Sequence, residues 1–272
     1  MQGARMDDQW DELRQVAQRA ARAAGELLCQ MQNGVNVREK APADLVTEAD
    51  LASQETIRSI LLEATPQFRF LGEEDDQPQV ALVSDEHQFC WVVDPLDGTT
   101  NYVHGLDNYC VSIALCRGAR VVLGVVFHPA REESFWAIEG HGARLNGQVL
   151  RTSSQRRLDQ ALMAASFAAR VPRNSPEIGR FIEVLHRCQA LRRFGSSALN
   201  LCYVAAGRLD GYWATSVKAW DVAAGALCVQ EAGGILTGLD GSPFCLQRPR
   251  LVSAATPQLH AELLKVLARA SN

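Results

Sequence analysis

WVVDPLDGTTNYVHG, residues 91–105, is the stretch from which the rest of the chain is read. The apolar, strand-forming run Trp91-Val92-Val93 leads directly into Asp94 and Asp97, which are separated by Pro95-Leu96. Pro95 restricts the backbone and removes an N–H, and Gly98 allows a close turn before Thr99 and Thr100. A helical turn starting near Thr99 would aim free N–H groups at an anion. A strand that delivers two carboxylates to its end raises an energetic difficulty, because an unpaired carboxylate at a partly buried position is costly. Carboxylate and carbonyl oxygens with no neighbouring His or Cys ligand pattern suit a hard cation, and for phosphate chemistry Mg²⁺ before Zn²⁺. Taken alone, the same residues also build an Asx-type turn in which each Asp binds backbone N–H groups. Both readings stand at this point.

Working outward, Phe70-Leu71-Gly72-Glu73-Glu74 is a second apolar strand that ends in carboxylates. Because Asp75 and Asp76 continue the run, a solvated acidic loop is its plain alternative. Trp220-Asp221 opens an amphipathic segment, where an Asp ordinarily serves as a helix cap. Apolar residues at steps of three and four (Trp10, Leu13, Ala17, Ala20, Ala24, Leu28, Met31) predict a helix over 7–31, ended by Asn33-Gly34. A second helix is expected over 50–63, stopped before Thr65-Pro66. Strands are expected at 68–71, 89–93, 109–116, 121–127 and 133–138, with a hairpin over 141–150 around Asn146-Gly147, since both residues of that pair accept positive φ. Strands in succession without helices point to an antiparallel sheet. Beyond residue 155, helices at 176–188, 197–206, 220–232 and 257–268 alternate with strands at 209–213 and 234–237, as in a layered α/β unit. Two tightly joined halves, 1–150 and 151–272, are therefore expected.

Composition narrows the functional classes. The chain has 272 residues, is 47% hydrophobic and 21% charged, and carries a formal net charge of −4. That balance gives no general attraction to polyanions, so direct nucleic-acid binding and adhesion to acidic membranes are not expected. Apolar runs such as 121–127 are far shorter than a membrane span, and the polar, acidic N-terminal residues lack a secretory core. The eight cysteines form neither a C-x-x-C pair nor a zinc spacing, which suggests reduced, buried thiols in a cytoplasmic protein.

Three motifs in order, Gly72-Glu73-Glu74, Asp94-Pro95-Leu96-Asp97-Gly98-Thr99-Thr100 and Trp220-Asp221-Val222-Ala223-Ala224-Gly225, resemble the signatures of the inositol monophosphatase family. The segments 42–50 and Gly195-Ser196-Ser197-Ala198 resemble its N-terminal motif and its later substrate loop. The resemblance covers nearly the whole chain and implies an α/β (α+β) fold, a layered αβαβα sandwich of the sugar-phosphatase class, commonly a homodimer. It implies that Glu73, Asp94 and the Leu96 carbonyl hold one Mg²⁺ and that Asp94, Asp97 and Asp221 hold a second, with a third, weaker ion sometimes seen near the Glu73 position. It further implies a metal-activated water as nucleophile near Glu73 and Thr99, with Asp50 accepting from the threonine hydroxyl. The backbone of Leu96, Gly98 and Thr99, together with Asp97, Gly195, Ser196, Ser197, Glu73 and Asp221, would hold a small phosphorylated metabolite. From residue type alone, Thr99 and Asp50 are also ordinary helix-cap residues, as are Ser196 and Ser197. His104 and His128 are assigned no role, and Lys40 and Lys218 read equally as phosphate-attracting or surface lysines.

One departure from the family pattern bears on substrate. The glutamate that in animal members contacts an inositol hydroxyl, seven positions before the last metal aspartate, is here Ala214. A methyl group cannot accept that hydrogen bond, so a few kcal/mol of orienting interaction is missing for inositol. Inositol 1-phosphate is the leading expectation from overall similarity, with histidinol phosphate, fructose 1,6-bisphosphate and phosphoadenosine phosphate as alternatives. The resemblance also brings inhibition by Li⁺ and by excess Mg²⁺, and a protein-binding role in transcription antitermination, known for some bacterial members, as a reading of another class.

Overall fold

The computed structural model describes residues 2–32, 37–41, 44–75 and 87–269, with side chains over 9–32, 46–75 and 87–269. Its elements, in chain order, are α1 (Gln2–Met31), β1 (Val37–Ala41), β2 (Asp44–Thr47), α2 (Glu48–Ala64), β3 (Arg69–Gly72), β4 (Phe89–Asp97), α3 (Thr99–Val103), β5 (Cys110–Arg117), β6 (Arg120–His128) and β7 (Glu133–Ile138). They continue with β8 (Ala143–Leu145), β9 (Gln148–Val149), β10 (Leu162–Ser166), α4 (Pro176–Leu185), β11 (Ala190–Arg192), α5 (Ser197–Ala205), β12 (Gly211–Ala214), α6 (Ala219–Glu231), β13 (Ile235–Thr237), β14 (Leu251–Ala254) and α7 (Pro257–Arg269). Strands β3 to β9 form a seven-stranded sheet in sequence order, and β11-β10-β12-β14-β13 form a five-stranded sheet. Helices α1 and α2 cover one face of the larger sheet, α5 and α6 lie between the two sheets, and α4 and α7 cover the outer face of the smaller one. This is the five-layer αβαβα arrangement.

The layering follows from alternation along strands that are buried on both faces. In β4, Trp91 and Val93 pack toward α1 and α2, while Cys90 and Val92 face the central helices. In β5, the bulky Val111, Ile113 and Leu115 face outward, and the small Cys110, Ala114 and Cys116 face α5 and α6. Five cysteines (90, 110, 116, 202 and 228) are buried free thiols, acting as small apolar groups where helix and sheet approach closely. Cys29 differs from the expectation, for it is exposed. Backbone approaches backbone at Gly124 of β6, where an added Cβ would come within 2.8 Å of the Ala224 backbone in α6.

Two expectations need correction. The larger sheet is not wholly antiparallel, because β3 pairs with β4 in parallel, with Gly72 opposite Val93. Three strands of the smaller sheet, β10, β11 and β14, were not expected from the pattern. Their short stretches, such as LMAAS in β10, are rich in Ala, Leu and Met, whose intrinsic preference is helical, and their extended state comes from sheet partners. The Asn146-Gly147 turn is present, with φ of 48° and 85°. The proposed stop at Asn33-Gly34, and the residues Lys40, Pro42, Ala43 and Asp76, lie outside the residues whose side chains are described.

Candidate active site

The parallel pairing of β3 and β4 sets the site. Both strands run toward the same edge, and the Glu73 N–H donates to the Val93 carbonyl at 3.1 Å, so Glu73 emerges beside Asp94. Opposite, Asp94 faces Ser112 of β5, and the ladder is irregular between Asp94 and Asp97. The Ser112 hydroxyl donates to the Trp220 carbonyl at 3.1 Å, which fastens the start of α6, and with it Asp221, to the same edge. Carboxylate oxygens of Glu73, Asp94 and Asp221 all lie within 4.8 Å of one another. Three residues from distant parts of the chain thus converge.

Asp94 is 2% exposed and Asp97 8%, and their environment disfavours charge. Burial first, then the neighbouring charges of Glu73, Asp97 and Asp221, pushes the Asp94 carboxyl well above the usual range. Asp221 is raised by burial and by Glu73 and Asp97, against the pull of Lys218. Asp97 is pushed up to about 6 by burial, opposed by hydrogen bonds from Ser196, Ala198, Ser197 and Cys110. Carboxylates crowded in this way are ionised together only with compensating positive charge. An all-oxygen donor set without His or Cys fits a hard divalent cation such as Mg²⁺.

Sequence reading left turn and ligand as rival roles for Asp94; the geometry accommodates both. Asp94 Oδ1 accepts the Leu96 N–H at 3.0 Å while the side chain faces the acidic group. Asp221 likewise accepts the Lys218 N–H at 2.8 Å at the start of α6. Asp50 accepts the N–H and hydroxyl of Thr47 at 2.8 and 2.6 Å, completing a capping box on α2. It also accepts the Thr99 hydroxyl at 3.3 Å. That hydroxyl also reaches the Leu96 carbonyl at 3.1 Å. Gly98, at φ 101°, makes the left-handed step into α3, with Asn108 carbonyl 3.0 Å from where a Cβ would stand.

Asp97 stands beside the three-acid group but is turned toward α5. Its Oδ2 accepts the Ser196 hydroxyl at 2.6 Å and the Ala198 N–H at 2.7 Å. Ser196 is fully buried, and its oxygen also accepts the Leu199 N–H at 3.2 Å, so this side chain points at Asp97 rather than into an open cleft. Gly195 is exposed and Ser197 buried. Ala214 is fully buried at the end of β12, opposite Ser166 of β10. His104 is exposed. His128 is buried, and among the described residues its Nδ1 has no partner; burial lowers its pKa to about 4, so it is neutral. Lys218 is exposed.

Several residues that shape the site were not singled out from sequence. Ser53 donates to the Pro95 carbonyl at 2.8 Å, holding the turn between the aspartates. The Asn101 amide donates to the carbonyls of Asn108 at 2.7 Å and Phe194 at 2.6 Å, tying α3 to the loop before α5. Ser112 and Gly124 fix α6 on the sheet. Their contacts join segments far apart in sequence and leave no local pattern to read.

Comparison with known proteins assigns this five-layer sandwich, with its acidic group of Glu73, Asp94 and Asp221, to a family of phosphatases. The inositol monophosphatase family profile matches residues 9–272. An inositol-1-monophosphatase of Caulobacter vibrioides is 37% identical over 262 residues, 93% of this chain and 97% of that protein. A Nus factor SuhB of Pasteurella multocida is 39% identical over 253 residues, 92% and 93% of the two chains. Among solved structures, the inositol monophosphatase of Anabaena (Nostoc) sp. superimposes with a TM-score of 0.83 at 33% identity, covering 95% of this chain and 96% of the other. The extragenic suppressor protein SuhB of Bartonella henselae gives 0.86 at 35% identity, covering 93% and 97%. The chain belongs to the inositol monophosphatase family. No helix among the described residues is long and apolar enough to cross a membrane.

Proposed function

We propose that the protein hydrolyses a small phosphate monoester with Mg²⁺, inositol 1-phosphate being the favoured substrate. The observation that carries this reading is the convergence of Glu73, Asp94 and Asp221 within 4.8 Å in a chain of this family. In the proposal, Glu73, Asp94 and the Leu96 carbonyl hold one Mg²⁺, and Asp94, Asp97 and Asp221 hold a second. When bound, the cations neutralise phosphoryl charge and acidify a water.

The protein's own groups supply order and proton transfer. Thr99 Oγ1, held between Asp50 and the Leu96 carbonyl, orients the attacking water and relays its proton toward Asp50. The water oxygen bonds to phosphorus in line with the ester bond, that bond breaks, and the leaving oxygen takes up a proton to give an alcohol and inorganic phosphate. Glu73 lies beside the attacking water, the Gly98 and Thr99 backbone steadies the phosphate, and the loop at Gly195 and Ser197 lies toward the leaving group, the Ser196 side chain being turned to Asp97. A homodimer of two-part subunits (1–150 and 151–272), working in the cytoplasm, completes the proposal.

A panel of phosphate monoesters, including inositol 1-phosphate, histidinol phosphate, fructose 1,6-bisphosphate and phosphoadenosine phosphate, assayed with and without Mg²⁺, tests it. Turnover that depends on Mg²⁺ is expected, with inhibition by Li⁺ and by excess Mg²⁺. Activity on none of the panel removes the hydrolase reading. Relatives named Nus factor SuhB favour a second reading, a binding role in transcription antitermination. Stable retention on purified transcription machinery by a protein inactive on every ester would select it.

A further inference from the structure

We propose that Ser196 and Cys110 are positioning residues for Asp97: they engage its Oδ2 so that Oδ1 is presented to the cation shared with Asp94 and Asp221. The inference rests on the hydrolase reading above and extends it to two side chains outside the acidic cluster.

Three donors reach the same oxygen. The Ser196 hydroxyl lies 2.6 Å from Asp97 Oδ2, the Ala198 N–H 2.7 Å and the Cys110 thiol 3.8 Å. Cys110 is also 3.6 Å from Ser196 Oγ, and Ser196 in turn accepts from the Leu199 N–H. The arrangement is built from two directions. Cys110 is the cross-strand partner of Asp97 in the β4–β5 ladder, and Ser196 is the N-cap of α5. Both are fully buried. A carboxylate is planar, so donors that load one oxygen also fix where the other points. An Asp without them swings about its Cα–Cβ and Cβ–Cγ bonds, and a cation must then restrain that motion on binding. Outer groups of this kind orient ligands at metal sites generally, and their loss costs about ten- to a hundredfold in affinity.

The geometry also assigns Ser196 a role other than substrate contact. A side chain fully buried, with its oxygen engaged by Asp97 and Leu199, has no face left for a leaving group. Loss of Ser196 should therefore appear in cation affinity and kcat, with KM for the phosphate ester little changed.

The test is calorimetric titration of the full-length protein with Mn²⁺ and Mg²⁺ in the absence of substrate, alongside melting temperature and steady-state kinetics. Ser196→Ala is expected to weaken cation binding about tenfold, and Ser196→Thr to restore it. Cys110→Ala, which removes the longer thiol contact, is expected to weaken it by less than the roughly tenfold typical of such groups, and Cys110→Ser, which keeps a donor, to recover wild-type affinity. In an Asp97→Asn background neither alanine substitution should weaken binding further, because the group they orient is already altered. Folded Ser196→Ala protein with wild-type cation affinity, a KM effect without a kcat effect, or full additivity with Asp97→Asn would each overturn the proposal. A wild-type protein that binds no divalent cation would instead sink the hydrolase reading itself, so the two failures are distinguishable.

Discussion

Strand ends in the two sheets are built from opposite kinds of residue. The end of the seven-stranded sheet, at β3 and β4, carries Glu73, Asp94 and Asp97, crowded charges that the fold holds at an energetic cost. The end of the five-stranded sheet, at β10 and β12, carries Ser166 and Ala214, small groups at a register pair. In the proposed function, the first end holds the cations that act on the phosphate ester. The second end carries, at Ala214, the position where the resemblance places a substrate-contacting glutamate in animal members of the family. On this reading, chemistry rests on the charged end, which is costly to the fold, and specificity turns on the missing side chain at Ala214.

The largest test of this contrast is Asp94→Asn. It keeps side-chain size and the Leu96 turn, yet removes the carboxylate that the proposal shares between both cations, so Mg²⁺-dependent turnover should fall to background. Because the substitution also relieves repulsion with Glu73, Asp97 and Asp221, the cation-free variant should melt no lower than wild type, a trade of stability against function. Retained activity would remove Asp94 from the mechanism. Next in size is Gly124→Ala. A methyl group 2.8 Å from the Ala224 backbone cannot fit unless α6 shifts; such overpacking costs about 1–3 kcal/mol. Displacement of Asp221 should lower cation affinity as well, readable by thermal melting and calorimetry.

At the other end, Ala214→Glu restores the carboxylate of the animal members. A charged hydrogen bond to a leaving-group hydroxyl, about 1.5–3 kcal/mol, should raise kcat/KM for inositol 1-phosphate relative to other esters by about tenfold or more. Since Ala214 is fully buried, the free variant should also melt lower. An unchanged substrate ranking would mean that Ala214 does not decide specificity.

The smallest effect is on pH dependence. Asp97 titrates at about 6 in the folded chain, against an ordinary value near 3.9, and Asp94 and Asp221 are raised too. The folded state therefore holds more protons than the unfolded one between about pH 4 and 6. The Asp97 contribution favours folding below that window and is lost as pH rises through it, and the raised Asp94 and Asp221 carboxyls act with the same sign. Without divalent cations, the melting temperature of wild type should lose more over this range than that of Asp97→Asn. Saturating Mg²⁺ should reduce the difference, and cation affinity should rise with pH as protons cease to compete. Identical slopes in the two proteins would show that the acids at this end are not strained.

What could be read from the chain follows the same division. Asp94, Asp97 and Glu73 stand at the ends of apolar strands, where a carboxylate is conspicuous, and the layered α/β class follows from the order of strands and helices. Asp221 was a weaker signal, because an Asp near a helix start has an ordinary use; it accepts the Lys218 N–H and joins the acidic group as well. The strands β10, β11 and β14 were hidden because their Ala- and Leu-rich residues become extended only through tertiary pairing. Ser112, Asn101, Gly124 and Cys110 were hidden for a related reason. Each acts on a partner some seventy or more residues away or on a neighbouring strand, and no spacing in the sequence marks that contact.

The central claim, that Glu73, Asp94 and Asp221 form one cation-holding group, is most directly tested by anomalous diffraction from crystals equilibrated with Mn²⁺. Strong peaks are expected within bonding distance of Asp94 and one or both of Glu73 and Asp221, so that the three residues together enclose the bound cations. Crystals at saturating Mn²⁺ that show these side chains ordered and no peak between them would contradict it.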